Sequence, residues 1–156
     1  MQTNYGIIRL GKESTVWVNV VGDPTGGLGD GFFMVRVIVV DDDVDTVAVF
    51  SEYLEIKGIE VIGQGYGGKE AVELYERLAP DVVLLDIMMP EYDGFYALRK
   101  IKKMDPNAKV IMVTADLTYD AEKLWNLGVS AIVYKPYDID GIIQTIQNVH
   151  KGMMET

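Results

Sequence analysis

Several residues able to hold a metal ion or a phosphoryl group stand at the ends of short apolar segments of this sequence. They are Asp41, Asp42, Asp43, Asp86, Thr114 and Lys135. Carboxylates gathered at one place repel one another unless a divalent cation or raised pKa values compensate. Mg²⁺ resolves such a repulsion, because it prefers oxygen ligands and commonly takes one or two carboxylates, water and a phosphate oxygen.

Thr114 and Lys135 complement these carboxylates. A lysine supplies a point charge and a threonine a hydroxyl donor, and together they can hold the remaining oxygens of a phosphoryl group. Each residue alone has a plain structural explanation as a solvated loop or a turn. Their joint occurrence at successive segment ends instead predicts a site for Mg²⁺ and a phosphoryl group.

The composition of the 156-residue chain excludes several other kinds of chemistry. There is no cysteine and a single histidine, His150, so thiolate nucleophiles, Cys-based metal sites and a Ser–His–Asp triad are excluded or implausible. A bound metal would therefore be a hard cation, Mg²⁺, Mn²⁺ or Ca²⁺. The net charge of −10 argues against nucleic acid as the main partner.

Short apolar runs alternate with helical patterns from Val35 onward, which is typical of parallel β/α units. The predicted strands cover residues 35–40, 59–62, 82–86, 110–113 and 131–135. The predicted helices cover residues 44–57, 69–78, a stretch that includes 97–104, 119–127, and a stretch that follows Asp138. Uniformly apolar strands are buried on both faces, so we expect an α/β fold, a doubly wound five-stranded parallel sheet. Ligands of such sheets bind at the carboxyl ends of the strands.

The first 33 residues stand apart from this pattern. Residues 22–31 hold five glycines, which is typical of a linker. The β-prone stretches before it, 6–10 and 16–21, could at most add a hairpin to the main domain. Residues 1–33 are thus either an N-terminal extension or a sequence upstream of a true start at Met34. We expect the main domain at 34–152, a tail at 153–156, no membrane segment and a cytoplasmic location.

The motifs of the main domain resemble those of the receiver domain of two-component response regulators, over residues 35 to about 150. The matching motifs are VVDDD at 39–43, LLDIMMPEYDG at 84–94, VTA at 113–115 and YKPY at 134–137. The resemblance implies a flavodoxin-like fold with strand order 2-1-3-4-5. It also implies a phosphorylation-switched signalling protein, which assists only its own phosphorylation and dephosphorylation and is not otherwise an enzyme.

The resemblance assigns roles to individual residues. Asp86 would accept the phosphoryl group, Thr114 would bind a phosphoryl oxygen, and Lys135 would pair with Asp86 and then with the phosphoryl group. Mg²⁺, or Mn²⁺, would be held by Asp41, Asp42, Asp86 and the backbone carbonyl of Met88. The Lys135–Pro136 peptide bond would be cis.

The resemblance also implies the partners. The phosphodonor would be a sensor histidine kinase or a phosphotransfer protein, and the output a protein bound at the face of the fourth helix, fifth strand and fifth helix. No output domain follows Thr156 in this sequence, so we expect a stand-alone receiver without direct contact to nucleic acid or membrane. One position departs from the family: Ile132 stands where an aromatic switch residue is common, and Tyr134 is adjacent to Lys135 instead.

Two alternatives remain open from the sequence. The first is a docking module that kept the fold without phosphotransfer. The second is a small nucleotide-binding protein, because Gly63, Gly65 and Gly68 spell G-x-G-x-x-G before a predicted helix. The same stretch nearly matches a P-loop, but Glu70 stands where a Ser or Thr would bind Mg²⁺. The position of the motif after the second strand disfavours the dinucleotide fingerprint.

Overall fold

A computed structural model describes residues 4–9, 15–20 and 34–152 of the chain. The strands in these ranges are β1 (Asn4–Arg9), β2 (Thr15–Val20), β3 (Arg36–Val40), β4 (Glu60–Gly65), β5 (Val82–Leu85), β6 (Val110–Thr114) and β7 (Ala131–Tyr134). The helices are α1 (Val44–Ile56), α2 (Gly68–Leu78), α3 (Gly94–Met104), α4 (Ala121–Asn126) and α5 (Ile139–His150). None of the helices in these ranges is long and apolar enough to cross a membrane.

The main domain is built on a five-stranded parallel sheet with the order β4-β3-β5-β6-β7. Counted within this sheet, the order is 2-1-3-4-5, so the predicted α/β doubly wound fold is confirmed. One buried cluster joins the sheet to α1 and α5, and a second joins it to α2, α3 and α4. Because helices cover both faces, every residue of β5 and β6 is buried.

Aspartates determine where four of the five helices begin. Each N-cap carboxylate accepts a hydrogen bond from a backbone N–H of the first turn, which has no partner within the helix. The four are Asp43 for α1, Asp93 for α3, Asp120 for α4 and Asp138 for α5. These caps place each helix start directly after a loop at the carboxyl edge of the sheet.

The strands of the N-terminal region pair with each other and not with the main sheet. β1 and β2 are antiparallel, with Gly6 opposite Val18, and form a separate two-stranded sheet. The glycine-rich stretch 22–31 and the tail 153–156 lie outside the described residues. The division of the chain at residue 33 therefore stays a prediction.

Two elements differ from the sequence prediction by two residues or more at one end, and the others agree to within about one residue. β4 does not end at Ile62 but continues to Gly65, because Gly65 pairs with Val40 in the parallel ladder and its carbonyl accepts a hydrogen bond from the Asp41 N–H at 3.2 Å. The helix predicted from residue 119 begins at Ala121, after its Asp120 cap. Two glycines of the G-x-G-x-x-G motif are thus strand residues and not part of a turn.

Candidate metal centre

The predicted site residues meet at the carboxyl edge of the sheet. Parallel strands all end at the same edge. Asp41 follows β3, Asp86 follows β5, Thr114 ends β6 and Lys135 follows β7. Asp41, Asp42 and Asp86 each present a carboxylate oxygen, and these three atoms lie within 4.8 Å of one another. The structure therefore brings together side chains that are up to 94 residues apart in sequence.

Lys135 is the cation of this cluster. Its Nζ lies 2.6 Å from Asp41 Oδ2, where it donates a hydrogen bond, and 3.8 Å from Asp86 Oδ2. The resemblance paired this lysine with Asp86, but the shorter contact is to Asp41. Both carboxylates are buried, with 6% of Asp41 and 8% of Asp86 exposed, so one ammonium group neutralises only part of the buried negative charge.

The electrostatics of Asp86 show this imbalance directly. Burial raises the pKa of the Asp86 carboxyl to about 6, because desolvation disfavours its charged form. This value is the net result of several effects: the negative charges of Asp41 and Asp42 also raise the pKa, while Lys135 and a hydrogen bond from the Ile87 N–H lower it. The charge of Asp86 is therefore only partly compensated by Lys135.

Asp43, the third aspartate of the run, does not join the cluster. Its carboxylate caps α1 by accepting a hydrogen bond from the Thr46 N–H at 2.9 Å, and this bond lowers the pKa of Asp43. Its own N–H donates to Asp41 Oδ1, also at 2.9 Å. Asp43 thus orients the Asp41 carboxylate through its backbone N–H and caps the first turn of α1 through its side chain.

Thr114 is completely buried at the end of β6. Its Oγ1 accepts a hydrogen bond from the Asp116 N–H at 3.0 Å, which joins the hydroxyl to the loop between β6 and α4. The Lys135 N–H in turn donates to the Thr114 carbonyl at 2.8 Å. A group bound to the Thr114 hydroxyl would therefore act directly on this loop.

The donor set fits a hard divalent cation. The clustered side chains offer carboxylate oxygens, which Mg²⁺ prefers, and Lys135 compensates the charge of Asp86 only in part. Beside the cluster lies an open cleft of about 590 Å³. The residues lining this cleft are Asp42, Ile87, Met88, Met89, Pro90, Asp93, Phe95, Asp116 and Tyr119. The Lys135–Pro136 peptide bond is cis, as the resemblance implied.

The first two glycines of the G-x-G-x-x-G motif are packed against side chains of α2. A Cβ atom at Gly63 would lie 2.9 Å from a methyl group of Leu78, and one at Gly65 would lie 2.9 Å from a methyl group of Leu74. The space beside these glycines is therefore filled by the leucines of α2. The nucleotide-binding alternative has no support in this geometry.

One contact near the site was not predicted. The Tyr119 hydroxyl, in the loop between β6 and α4, donates a hydrogen bond to the Tyr134 hydroxyl on β7, and the two rings are stacked with centroids 6.0 Å apart. Ile132, which occupies the usual aromatic position, is buried. The sequence marked Tyr134 as unusual, but it assigned Tyr119 to a helix.

The fold and the site together define a class of protein: a doubly wound α/β domain with an acidic pocket, suited to a divalent cation, at the carboxyl edge of its sheet. The family model described as the response regulator receiver domain matches residues 37–147. The chain therefore belongs to the response regulator receiver family, the switch domains of two-component signalling. Receivers of this family bind Mg²⁺ through an acidic pocket and exchange signals with kinases and downstream proteins.

Curated relatives and solved structures agree with this assignment. The chemotaxis protein CheY of Thermotoga maritima is 35% identical over 120 residues, which are 74% of this chain and 98% of that protein. CheY of Listeria monocytogenes is 34% identical over 122 residues, 76% of this chain and 100% of that protein. A structure of CheY from Borrelia burgdorferi in complex with CheX, BeF₃ and Mg²⁺ matches with a TM-score of 0.69 and 33% identity, covering 74% of this chain and 88% of that one.

Proposed function

We propose that Asp86 accepts a phosphoryl group from a sensor histidine kinase or a phosphotransfer protein. The observation that carries this proposal is the convergence of Asp41, Asp42 and Asp86 around a single lysine, with the buried charge of Asp86 only partly compensated. Mg²⁺ would be held by these three carboxylates and the Met88 backbone carbonyl. Mg²⁺ is the ion in the CheY–CheX complex, and Mn²⁺ has no comparable support.

In the proposed transfer, a carboxylate oxygen of Asp86 forms a bond to phosphorus while the phosphorus–nitrogen bond of the donor phosphohistidine breaks. The electron pair of that bond stays on the imidazole nitrogen, and the product is an acyl phosphate. Mg²⁺ held by these carboxylates would supply positive charge to offset that of the phosphoryl oxygens. Lys135, 3.8 Å from Asp86 Oδ2, and the Thr114 hydroxyl would hold other phosphoryl oxygens. Water at the same site would hydrolyse the acyl phosphate and restore Asp86.

The donor would approach through the 590 Å³ cleft beside the acidic cluster. Asp42 and Met88 line this cleft, and both are exposed. A small acyl phosphate could enter by the same route. The protein would thus supply the nucleophile and the charge compensation for its own phosphorylation, and act on no other substrate.

The output would be a protein bound at the face formed by α4, β7 and α5. Thr114 contacts the β6–α4 loop through Asp116, and the same loop carries Tyr119, which is hydrogen-bonded to Tyr134. A phosphoryl group on Asp86 that binds the Thr114 hydroxyl would therefore shift this tyrosine pair at the edge of the face. The net charge of −10 favours a protein partner over nucleic acid. We assign this activity to residues 34–152, with 1–33 as an extension and 153–156 as a tail.

The test is the intact mass of the protein after incubation with Mg²⁺ and acetyl phosphate, and separately with a phosphorylated histidine kinase. We expect the mass to increase by one phosphoryl group, and we expect no increase for Asp86→Asn or in the presence of a chelator. Asp81→Asn is a matched control and should be labelled like the wild type, because Asp81 lies at the opposite edge of the sheet, where it accepts a hydrogen bond from the Arg36 N–H. Labelling that persists in Asp86→Asn would refute the assignment. A lack of labelling by either donor would favour the docking module.

A further inference from the structure

Gly68, the last glycine of the G-x-G-x-x-G motif, lies in close contact with the backbone of the loop between β5 and α3. A Cβ atom at this position would lie 2.6 Å from the Asp93 carbonyl oxygen and 2.8 Å from the Tyr92 carbonyl carbon. Both neighbours are backbone atoms, so no side-chain rotation could relieve the overlap. The Gly68 N–H also donates a hydrogen bond to the Tyr92 carbonyl at 2.8 Å. There is therefore no space for a side chain at position 68, and α2 is in direct backbone contact with the loop between β5 and α3.

That loop leads directly back to the metal centre. Asp93 is followed by Gly94, whose N–H donates to the Ile87 carbonyl at 2.8 Å, and a Cβ at Gly94 would lie 2.8 Å from the Ile87 Cα. Ile87 in turn donates its N–H to Asp86 Oδ1 at 2.8 Å. A continuous series of backbone contacts therefore runs from the first turn of α2 to the Asp86 carboxylate.

The loop between β5 and α3 is held by core packing and by its own backbone turn, because Ile87 and Met89 are buried in the cluster that joins the sheet to α2, α3 and α4. Glu91 adopts a left-handed conformation with a φ of 66°, and the Tyr92 N–H donates to the Pro90 carbonyl at 2.8 Å in a tight turn. Met88 lies within this loop and is 61% exposed. Met88 and Pro90 are exposed beside these buried residues, so the position of the Met88 carbonyl depends on the backbone path of the loop as well as on packing.

We propose that Gly68 is a positioning residue for the Mg²⁺ site. Because Gly68 carries no side chain, the first turn of α2 can pack directly against the backbone of Tyr92 and Asp93. This contact fixes the path of the loop, and the loop in turn positions the Met88 carbonyl and the Asp86 carboxylate for the ion. This inference rests on the proposed function, because it takes Asp86 and Met88 as ligands. It also gives the last glycine of the G-x-G-x-x-G motif a role that needs no nucleotide.

The test compares Gly68→Ala with Gly67→Ala, the same substitution one residue earlier. A Cβ at Gly67 would meet nothing within 4 Å, and Gly67 has an extended backbone with a φ of −167°. Binding of Mg²⁺ alone is measured by calorimetric titration at a temperature at which every variant is folded. We expect Gly68→Ala to weaken Mg²⁺ binding about tenfold or more, the range seen when residues that orient metal ligands are changed. Gly67→Ala should bind Mg²⁺ like the wild type.

A third variant separates positioning from a general loss of stability. Val149→Ala truncates a buried side chain at the far end of α5 and should lower the free energy of unfolding without weakening Mg²⁺ binding. The inference is overturned if Gly68→Ala binds Mg²⁺ as well as Gly67→Ala, or if Val149→Ala weakens binding to the same extent.

Hydrogen exchange in the wild-type protein decides the matter if Gly68→Ala does not fold. Saturation with Mg²⁺ should slow exchange of the Gly68 amide, because fixing the loop strengthens its hydrogen bond to Tyr92; an unchanged rate would overturn the inference. The proposed function is judged separately. It fails if the wild type itself does not bind Mg²⁺, and it stands if the wild type binds Mg²⁺ and is phosphorylated, whatever Gly68→Ala does.

Discussion

Replacing Asp86 by asparagine should stabilise the metal-free protein at neutral pH. The folded structure raises the pKa of Asp86 from 3.8 to about 6, chiefly by burial. At about 1.4 kcal/mol per pKa unit, ionised Asp86 costs the folded state about 3 kcal/mol. Asparagine removes this cost, and its side-chain oxygen can still accept the hydrogen bond from the Ile87 N–H.

The sign of the pH dependence follows from proton binding. Between about pH 4 and pH 6 the folded protein holds a proton on Asp86 that the unfolded chain has released, so the stability of the wild type falls as the pH rises through this window. Below the window both states are protonated and the cost disappears. The stability advantage of Asp86→Asn should therefore grow from near zero around pH 4 to about 3 kcal/mol at pH 7.

The assay is urea unfolding of both proteins in a chelator across this pH range, with the difference in free energy of unfolding taken at each pH. Groups that titrate alike in both proteins largely cancel in that difference. Adding Mg²⁺ at pH 7 should stabilise the wild type and shrink the advantage, because the ion binds only the folded state. An advantage that does not change with pH, or a variant less stable than the wild type at pH 7, would refute this account of the Asp86 environment.

Three further substitutions test other parts of the structure. Lys135→Met should lower the free energy of unfolding of the metal-free protein by about 1–3 kcal/mol, because it leaves Asp41 without its 2.6 Å partner. The same substitution should tighten Mg²⁺ binding and slow phosphorylation. Weaker Mg²⁺ binding would contradict this prediction. Tyr75→Phe removes a 2.6 Å hydrogen bond to the aspartate that ends α3 and should lower the free energy of unfolding by about 1–2 kcal/mol, with no change in phosphorylation. Tyr134→Phe leaves Tyr119 without its hydroxyl partner and should alter the affinity of the output protein, measured by titration, at an unchanged phosphorylation rate; a slower phosphorylation would place this pair in the reaction itself.

The strand ends were predictable because each apolar run stops where a polar residue begins, and parallel strands bring those ends to one edge. Asp86 and Thr114 fall where this reasoning placed them, at the ends of β5 and β6. The sequence also predicted the helix starts at residue 44 and after Asp138, since an aspartate before an amphipathic segment is a common N-cap. Local pattern and global fold agree at all of these positions.

The remaining features depend on side-chain geometry across long sequence separations. Nothing in the run of aspartates shows that Asp43 caps α1 while Asp41 pairs with Lys135. The contact of Tyr119 with Tyr134 joins the β6–α4 loop to β7, and only the folded sheet determines the relative position of these two elements. The end of β4 was misplaced for a similar reason: glycines usually signal a turn, but here they allow α2 to pack closely against a strand that continues to Gly65.

The most direct test of the central claim is to locate the phosphoryl group after Mg²⁺-dependent labelling. An acyl phosphate on aspartate is reduced by borohydride to homoserine, which marks the modified residue permanently. Trypsin cuts after Arg77 and Arg99, so peptide 78–99 carries Asp86, whereas Asp41 and Asp42 fall in another peptide. We predict that fragment spectra will place homoserine at position 86 and that the mark will be absent without Mg²⁺. Homoserine at position 41 or 42, or a mark independent of Mg²⁺, would contradict the account.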